Sequence, residues 1–233
     1  MAAGRLDDAE RLVADCLALA RRIGAFVDPT AFFGGAGNVV LIERGRWERG
    51  VALLESLLEQ KPGMTAHRAA LAMFQARLGH TDEARRQLQR FTDDDFATLP
   101  GAVLSGAGMV MLADTATWLR DTGAAARIRE LLEPVSGRTA WNAFTALWPN
   151  DIALAQLSVV LGDHAAAHAY LDAAEELCER EDLVAHRVRV ALYRAWALRE
   201  AGETADASTA VADADASPCP GVAREARLMG LTA

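Results

Sequence analysis

The sequence predicts an all-α fold, a right-handed α-solenoid of about five to six helical hairpins, and three observations carry that expectation. The composition is rich in Ala, Leu, Glu and Arg, and only 6% of residues are aromatic, a mixture that favours helices. A glycine hinge recurs at Gly4, Gly45, Gly79, Gly123, Gly162 and Gly202. Around each hinge the same columns of small and aliphatic residues return. The hinge at Gly79 shows the pattern most plainly: a helix over 72–78 stops at the glycine, and a second starts with Asp82 and Glu83 in its first turn.

Seven residues upstream of the hinges stand Asn38, Ala72, Ala116, Ala155 and Ala195. Five downstream stand Ala9, Gly50, Ala84, Ile128, Ala167 and Ala207, with Ile128 the bulky exception. Nine downstream stand Val13, Leu54, Leu88, Leu132, Leu171 and Val211. Small residues let paired helices approach closely, and the aliphatic column fills the space between one pair and the next. The hinges lie 41, 34, 44, 39 and 40 residues apart. These columns resemble those of tetratricopeptide repeats, whose period is about 34 residues; the array is therefore tetratricopeptide-like with an irregular period.

Taken in order, residues 5–23 read as an amphipathic helix with Leu6, Ala9, Leu12, Val13, Cys16, Leu17 and Ala20 at helical spacing. Its partner before Gly4 is absent, so the chain reads as starting mid-repeat, either as a fragment of a longer polypeptide or with this helix covered by another subunit. Hairpins follow over 30–59, closed by Pro62-Gly63, over 65–91, over 103–133, over 141–180 and over 183–213. The connector from Thr92 through Asp93, Asp94 and Asp95 to Pro100 is the longest irregular one, and it reads as a solvated turn rather than a cation site, which needs ligands converging from several positions. The repeat domain is placed at 1–217, and 218–233 is read as a tail with a short capping helix.

The formal charge of −8 argues against direct nucleic-acid binding, which selects for clustered positive charge. Cys16, Cys178 and Cys219 are too scattered for a disulfide framework and read as reduced thiols of a cytoplasmic protein. Arg5, Asp7, Asp8, Glu10 and Arg11 break any signal-peptide pattern. The longest uncharged run, 96–113, is interrupted by Pro100, Gly101, Gly106 and Gly108, so no membrane span is expected.

The residues ask for no enzyme, cofactor or metal. The stretch Phe33-Gly34-Gly35-Ala36-Gly37-Asn38 has neither the preceding strand nor the Lys-Ser/Thr pair of a phosphate cradle. His164, His168 and Asp172 share a helix face but lack further ligands. Trp141, Phe144 and Trp148, spaced by three and four, read as one face of a helix before Pro149. If the helices that precede the hinges line the concave side, as in tetratricopeptide arrays, the inward positions are Phe32, Val39, Met73, Arg77, Thr117, Arg120, Gln156, Arg189, Trp196 and Arg199. They form an apolar groove edged with guanidinium groups, suited to a peptide or an anionic effector. The competing reading of Arg187, Arg189, Arg194 and Arg199 is that they pair with acids on neighbouring helices.

Four segments carry a more specific likeness: ARLGHTDEARRQLQRF, DDDFATLP, LRDTGAAARIRELLEPVSGR and VVLGDHAAAHAYLDAAEEL. In this order the region from His67 to about Ala207 resembles the C-terminal helical-repeat parts of large bacterial ATP-binding transcriptional regulators, which join an ATPase module to such an array, often with a cyclase-type domain before it or a LuxR-type DNA-binding domain after it. Val135-Ser136 and Gly101-Ala102 depart from that group's pattern. The resemblance implies a non-enzymatic regulatory module that engages a protein or peptide partner, or other domains of its own parent polypeptide. The alternative is a small-molecule sensor that holds an effector near Trp118, Trp148 or Trp196.

Overall fold

The computed structural model describes residues 5–23, 29–99, 102–141, 145–203 and 207–232. Twelve helices run through them in order: α1 (Leu6–Arg22), α2 (Pro29–Glu43), α3 (Trp47–Gln60), α4 (Thr65–Arg77), α5 (Thr81–Thr92), α6 (Ala102–Leu119), α7 (Thr122–Leu132), α8 (Asn150–Val160), α9 (His164–Arg180), α10 (Val184–Glu200), α11 (Ser208–Ala216) and α12 (Pro220–Leu228). Each even-numbered helix from α4 to α10 packs against the odd-numbered one that follows it, and α2, α4, α6, α8 and α10 also pack against one another in sequence. The result is the expected all-α helical-repeat array.

The two rows of helices differ for a reason visible in their sequences. Outer helices such as α5 are strongly one-sided and bury Ala84, Leu88 and Phe91 while their charges face water. Inner helices are covered on every side: α8 is buried at every position from Asn150 to Val159, and α4 from Ala69 to Arg77. A helix sandwiched between an outer layer and an interior needs apolar or small residues all round, which is how ALAMFQA and DIALAQLSV read. Ala72, Ala84, Ala116, Ala167, Leu88 and Leu171, from the three sequence columns, are at most 1% exposed. In the end units, Ala9, Val13, Ala207 and Val211 are half-buried.

Helices approach closely at Gly50, where an added Cβ would sit 2.6 Å from the Phe74 ring. Phe74 is fully buried and cannot swing aside. Gly50→Ala is therefore expected to cost a net 1–2 kcal/mol, roughly, despite alanine's better helix propensity. A fall in melting temperature of roughly 3–6 °C would register it.

The hinges share one backbone device. Gly45, Gly79, Gly162 and Gly202 take positive φ, from +63° to +77°. The amide after each reaches back five residues, as His80 does to the Gln75 carbonyl at 2.9 Å, in the manner of a Schellman C-cap. The hinge placed at Gly123 is corrected by this test. Asp121 donates to the Ala116 carbonyl and the positive φ of +53° belongs to Arg120, so the turn lies three residues earlier. Counted from Arg120, the small downstream position is Ala125, fully buried, and the Ile128 exception disappears. The hinge at Gly4 lies outside the described residues.

A second correction concerns residues 141–149. The described residues among them are not helical: β1 (Thr139–Trp141) pairs antiparallel with β2 (Ala146–Pro149), and α8 starts only at Asn150. Pro149 disfavours helical backbone at the residue before it, which the three-and-four spacing of aromatics concealed. Trp141 is half exposed, Trp148 is buried, and Phe144 lies outside the described residues.

The connector after α5 is a turn held by its own acids. Arg127 donates twice to Asp95, at 2.7 Å each, and Asp94 accepts from the Thr98 amide. Among the described residues no group of three potential metal ligands converges, and no helix is long and apolar enough to cross a membrane.

The last helix does not stand apart as a tail. α12 packs against α11, α10 and α2, so the first and last inner helices meet across it. Gly221 makes this possible: a Cβ there would press on the Ile42 carbonyl and lie 3.0 Å from that of Glu43.

Candidate functional site

Where the inner helices converge on α12, the interior is charged. Arg77 closes α4 and donates through Nε and Nη2 to Asp114 of α6, at 2.8 and 2.9 Å, and through Nη1 to Glu225 of α12, at 2.8 Å. Arg189 of α10 donates to both oxygens of Glu225, at 2.9 and 3.1 Å, and to Glu43 of α2 at 3.1 Å. All five of these side chains are at most 2% exposed. Gln156 of α8 extends the network, donating to Asp114 at 3.1 Å and contacting the Tyr193 hydroxyl at 2.6 Å.

Indole rings roof the cations. The Arg77 guanidinium lies 5.1 Å from the Trp47 ring and 5.9 Å from Trp148, and Arg189 lies 5.4 Å from Trp148. The β-hairpin thus has a purpose in the array: it carries Trp148 over both arginines. The indole Nε1 atoms of Trp47 and Trp148 and the Gln156 Oε1 are buried without a hydrogen-bond partner among the described residues.

The electrostatics follow from burial and pairing. Burial alone would raise the Glu225 pKa, but Arg189 and Arg77 outweigh it and hold the carboxyl below its ordinary value. Burial opposes charge on the arginines as well, and their carboxylate partners reverse that and fix both as cations. At His186 the nearby Glu43 and Glu225 offset only part of the cost of burial. Burial, with Arg189 adding to it, pushes its pKa down to about 4, so it stays neutral and its Nδ1 accepts from Arg189 Nη1 at 3.0 Å. Burial also pushes the Cys178 thiol up to about 11 and Cys219 up to about 12, leaving both protonated at neutral pH.

His186 predicts a pH dependence. The unfolded chain takes up a proton near pH 6.5, whereas the folded chain resists until about pH 4. The unfolded state therefore binds more protons between those values, and stability is full above pH 6.5 and falls as the pH drops toward 4. Between pH 7 and pH 5 the loss is expected to be about 2 kcal/mol. Urea midpoints at the two pH values measure it, and His186→Gln should remove most of that slope.

The ten positions assigned to a groove fare differently. Val39, Met73, Arg77, Thr117, Gln156, Arg189 and Trp196 are all buried. An open groove is thus corrected to a filled one, because α12 and the facing side chains occupy it. Arg77, Gln156 and Arg189 are brought together in the charged hub, while Thr117 bonds back to the Ala113 carbonyl at 2.8 Å. Arg120 and Arg199 are exposed. Arg120 pairs with Glu200 at 2.8 Å and lies 5.7 Å from the Trp196 ring, and Arg199 donates to the Gly230 carbonyl at 2.6 Å. The Phe32 side chain lies outside the described residues. The reading in which arginines pair with acids holds for Arg189 and also for Arg194, which bonds Asp172 and Glu175.

Sequence reasoning missed Glu43, Asp114 and Glu225, yet each leaves a trace. Asp114 is the one charge in α6, and Glu43 the one charge in α2. Glu225 stands three residues after Val222 and four before Met229, on an otherwise apolar face. A lone carboxylate on a buried face requires a cation opposite.

Residues 41–99, a quarter of the chain that spans α3 to α5, match the family model described as Tetratricopeptide repeat. With the helical pairing above, this shows a tetratricopeptide-like region within an all-α helical-repeat array, and repeats of that kind commonly mediate protein–protein interaction. No curated protein and no solved structure matches the chain.

Proposed function

We propose that the chain is a non-enzymatic regulatory module that binds a protein partner or other domains of its own polypeptide, as the helical-repeat part of a bacterial signal-responsive transcriptional regulator. The regulator context is supported by the four segments that resemble such proteins. The interaction reading is carried by one observation on the surface. Leu12, Leu19 and Ile23 of the first helical segment are 58%, 47% and 66% exposed, at spacings of seven and four that line one side of α1. In a stacked array each helix pair buries both faces against neighbours, and α1 packs against α2 on one side. An apolar stripe left open in this way is a docking surface.

The test is a cross-linked capture from cells expressing the full-length gene, with Leu12→Glu and Leu19→Glu together. The partner or domain contact is expected to be lost while helicity is unchanged; undiminished recovery would remove this face as the site. A second reading, an effector sensor, is favoured by the unpartnered indole nitrogens and Gln156 oxygen beside two arginines. Titration of tryptophan fluorescence with small carboxylates and phosphates addresses it, and a flat response across the panel rules it out.

A further inference from the structure

The seat of α12 has the construction of a docking site with its occupant in place. The helix is nine residues long, and its contact face is made of Gly221, Val222 and Ala226, with Met229 just beyond. Such small groups bury little apolar area. What fixes the helix is Glu225, held by Arg77 and Arg189 with all three buried. A buried ion cluster is commonly no more stable than well-packed apolar residues of similar volume. It selects what sits there by charge and register. The remaining ties are at the rims: Arg224 donates to the Gly45 carbonyl at 2.7 Å and pairs with Glu48, and Arg199 donates to the Gly230 carbonyl.

We propose that the cleft between α2 and α10, floored by Arg77 and Arg189, is a helix-docking site for a partner helix bearing one carboxylate on a small-residue face, and that α12 is its intramolecular occupant. The proposal rests on the interaction reading above and supplies the partner's chemistry. A net charge of −8 works against a broadly acidic segment, so the fitting helix carries a single Asp or Glu inward. Four residues before it comes a glycine, which passes the Ile42 and Glu43 carbonyls as Gly221 does. A basic residue just before the carboxylate faces Glu48, as Arg224 does. Because the incoming carboxylate uses the same two guanidinium groups, it binds only as α12 leaves. A tethered occupant competes at a high effective concentration, so the intact chain binds such a helix weakly.

The experiment uses the full chain and a fluorescein-labelled peptide with the sequence of residues 217–231, alongside the same peptide with Gln in place of its Glu. Fluorescence anisotropy is read for the unaltered chain and for Glu225→Gln, which weakens the internal occupant and keeps its shape. The Glu225→Gln chain is expected to bind the Glu peptide at least tenfold more tightly than the unaltered chain does, and at least tenfold more tightly than it binds the Gln peptide. Equal affinity for the two peptides, or binding to neither, overturns the proposal. If circular dichroism shows that variant unfolded, Arg224→Ala, which loosens only the rim, carries the same comparison with the same overturning result. The capture through Leu12 and Leu19 is read in parallel, so a failed peptide preference with intact capture removes the seat and leaves the interaction reading standing.

Discussion

Arg189→Met should be among the most destabilising single substitutions in the chain, lowering stability by about 3–5 kcal/mol. The hub sets two guanidinium groups against three carboxylates, one negative charge in excess. Without Arg189, Glu43 loses its partner there and Glu225 keeps only Arg77, so buried negative charge is left uncompensated. Methionine fills part of the volume but answers no charge. At the scale of a domain this size the melting temperature is expected to fall by roughly 10 °C or more. Arg189→Lys should recover little of the loss, because an ammonium cannot span Glu225, Glu43 and His186 as the planar fork does. A shift below about 2 °C for Arg189→Met would contradict the account of the hub.

Gly221→Ala comes second. Alanine favours helix over glycine by about 1 kcal/mol, so propensity alone predicts a more stable α12. The structure predicts the opposite sign, since the added methyl meets main-chain oxygens of α2, which have no rotamer to escape into. A loss of roughly 2–4 kcal/mol is expected, concentrated in one place. Hydrogen exchange should rise across residues 220–229 and around Glu43 while the amides of α4 and α6 stay protected. An unchanged exchange pattern would mean that α12 is not seated as described.

Much of the fold is legible in the sequence because helical periodicity and glycine hinges are local signals. Leu54, Leu88 and Leu171 mark the same aliphatic column in sequence and core alike. The misplaced hinge at Gly123 has a local cause too: Arg120 takes the left-handed backbone that a glycine would normally provide, so composition points three residues too far. The β-hairpin before α8 was hidden because an aromatic spacing of three and four fits a helix until the proline is weighed. The site was legible only in part. Arg77, Gln156 and Arg189 read as inward residues, and they do meet in one network. Their acid partners come from positions as far as 148 residues away in the chain. No local pattern states such a pairing; only the lone charges on apolar faces hint at it.

The contact of α12 with both α2 and α10 has a consequence for how the molecule is made. An open stack of repeats unravels from its ends and folds piecemeal as it is synthesised. Here the first and last inner helices are stitched together through α12, so Arg77 waits for Glu225 until a further 148 residues have been made. Native stability should arrive as one step once α12 is made, with the preceding hairpins already assembled around an interior in which Arg77 and Arg189 have only Asp114 and Glu43 as carboxylate partners.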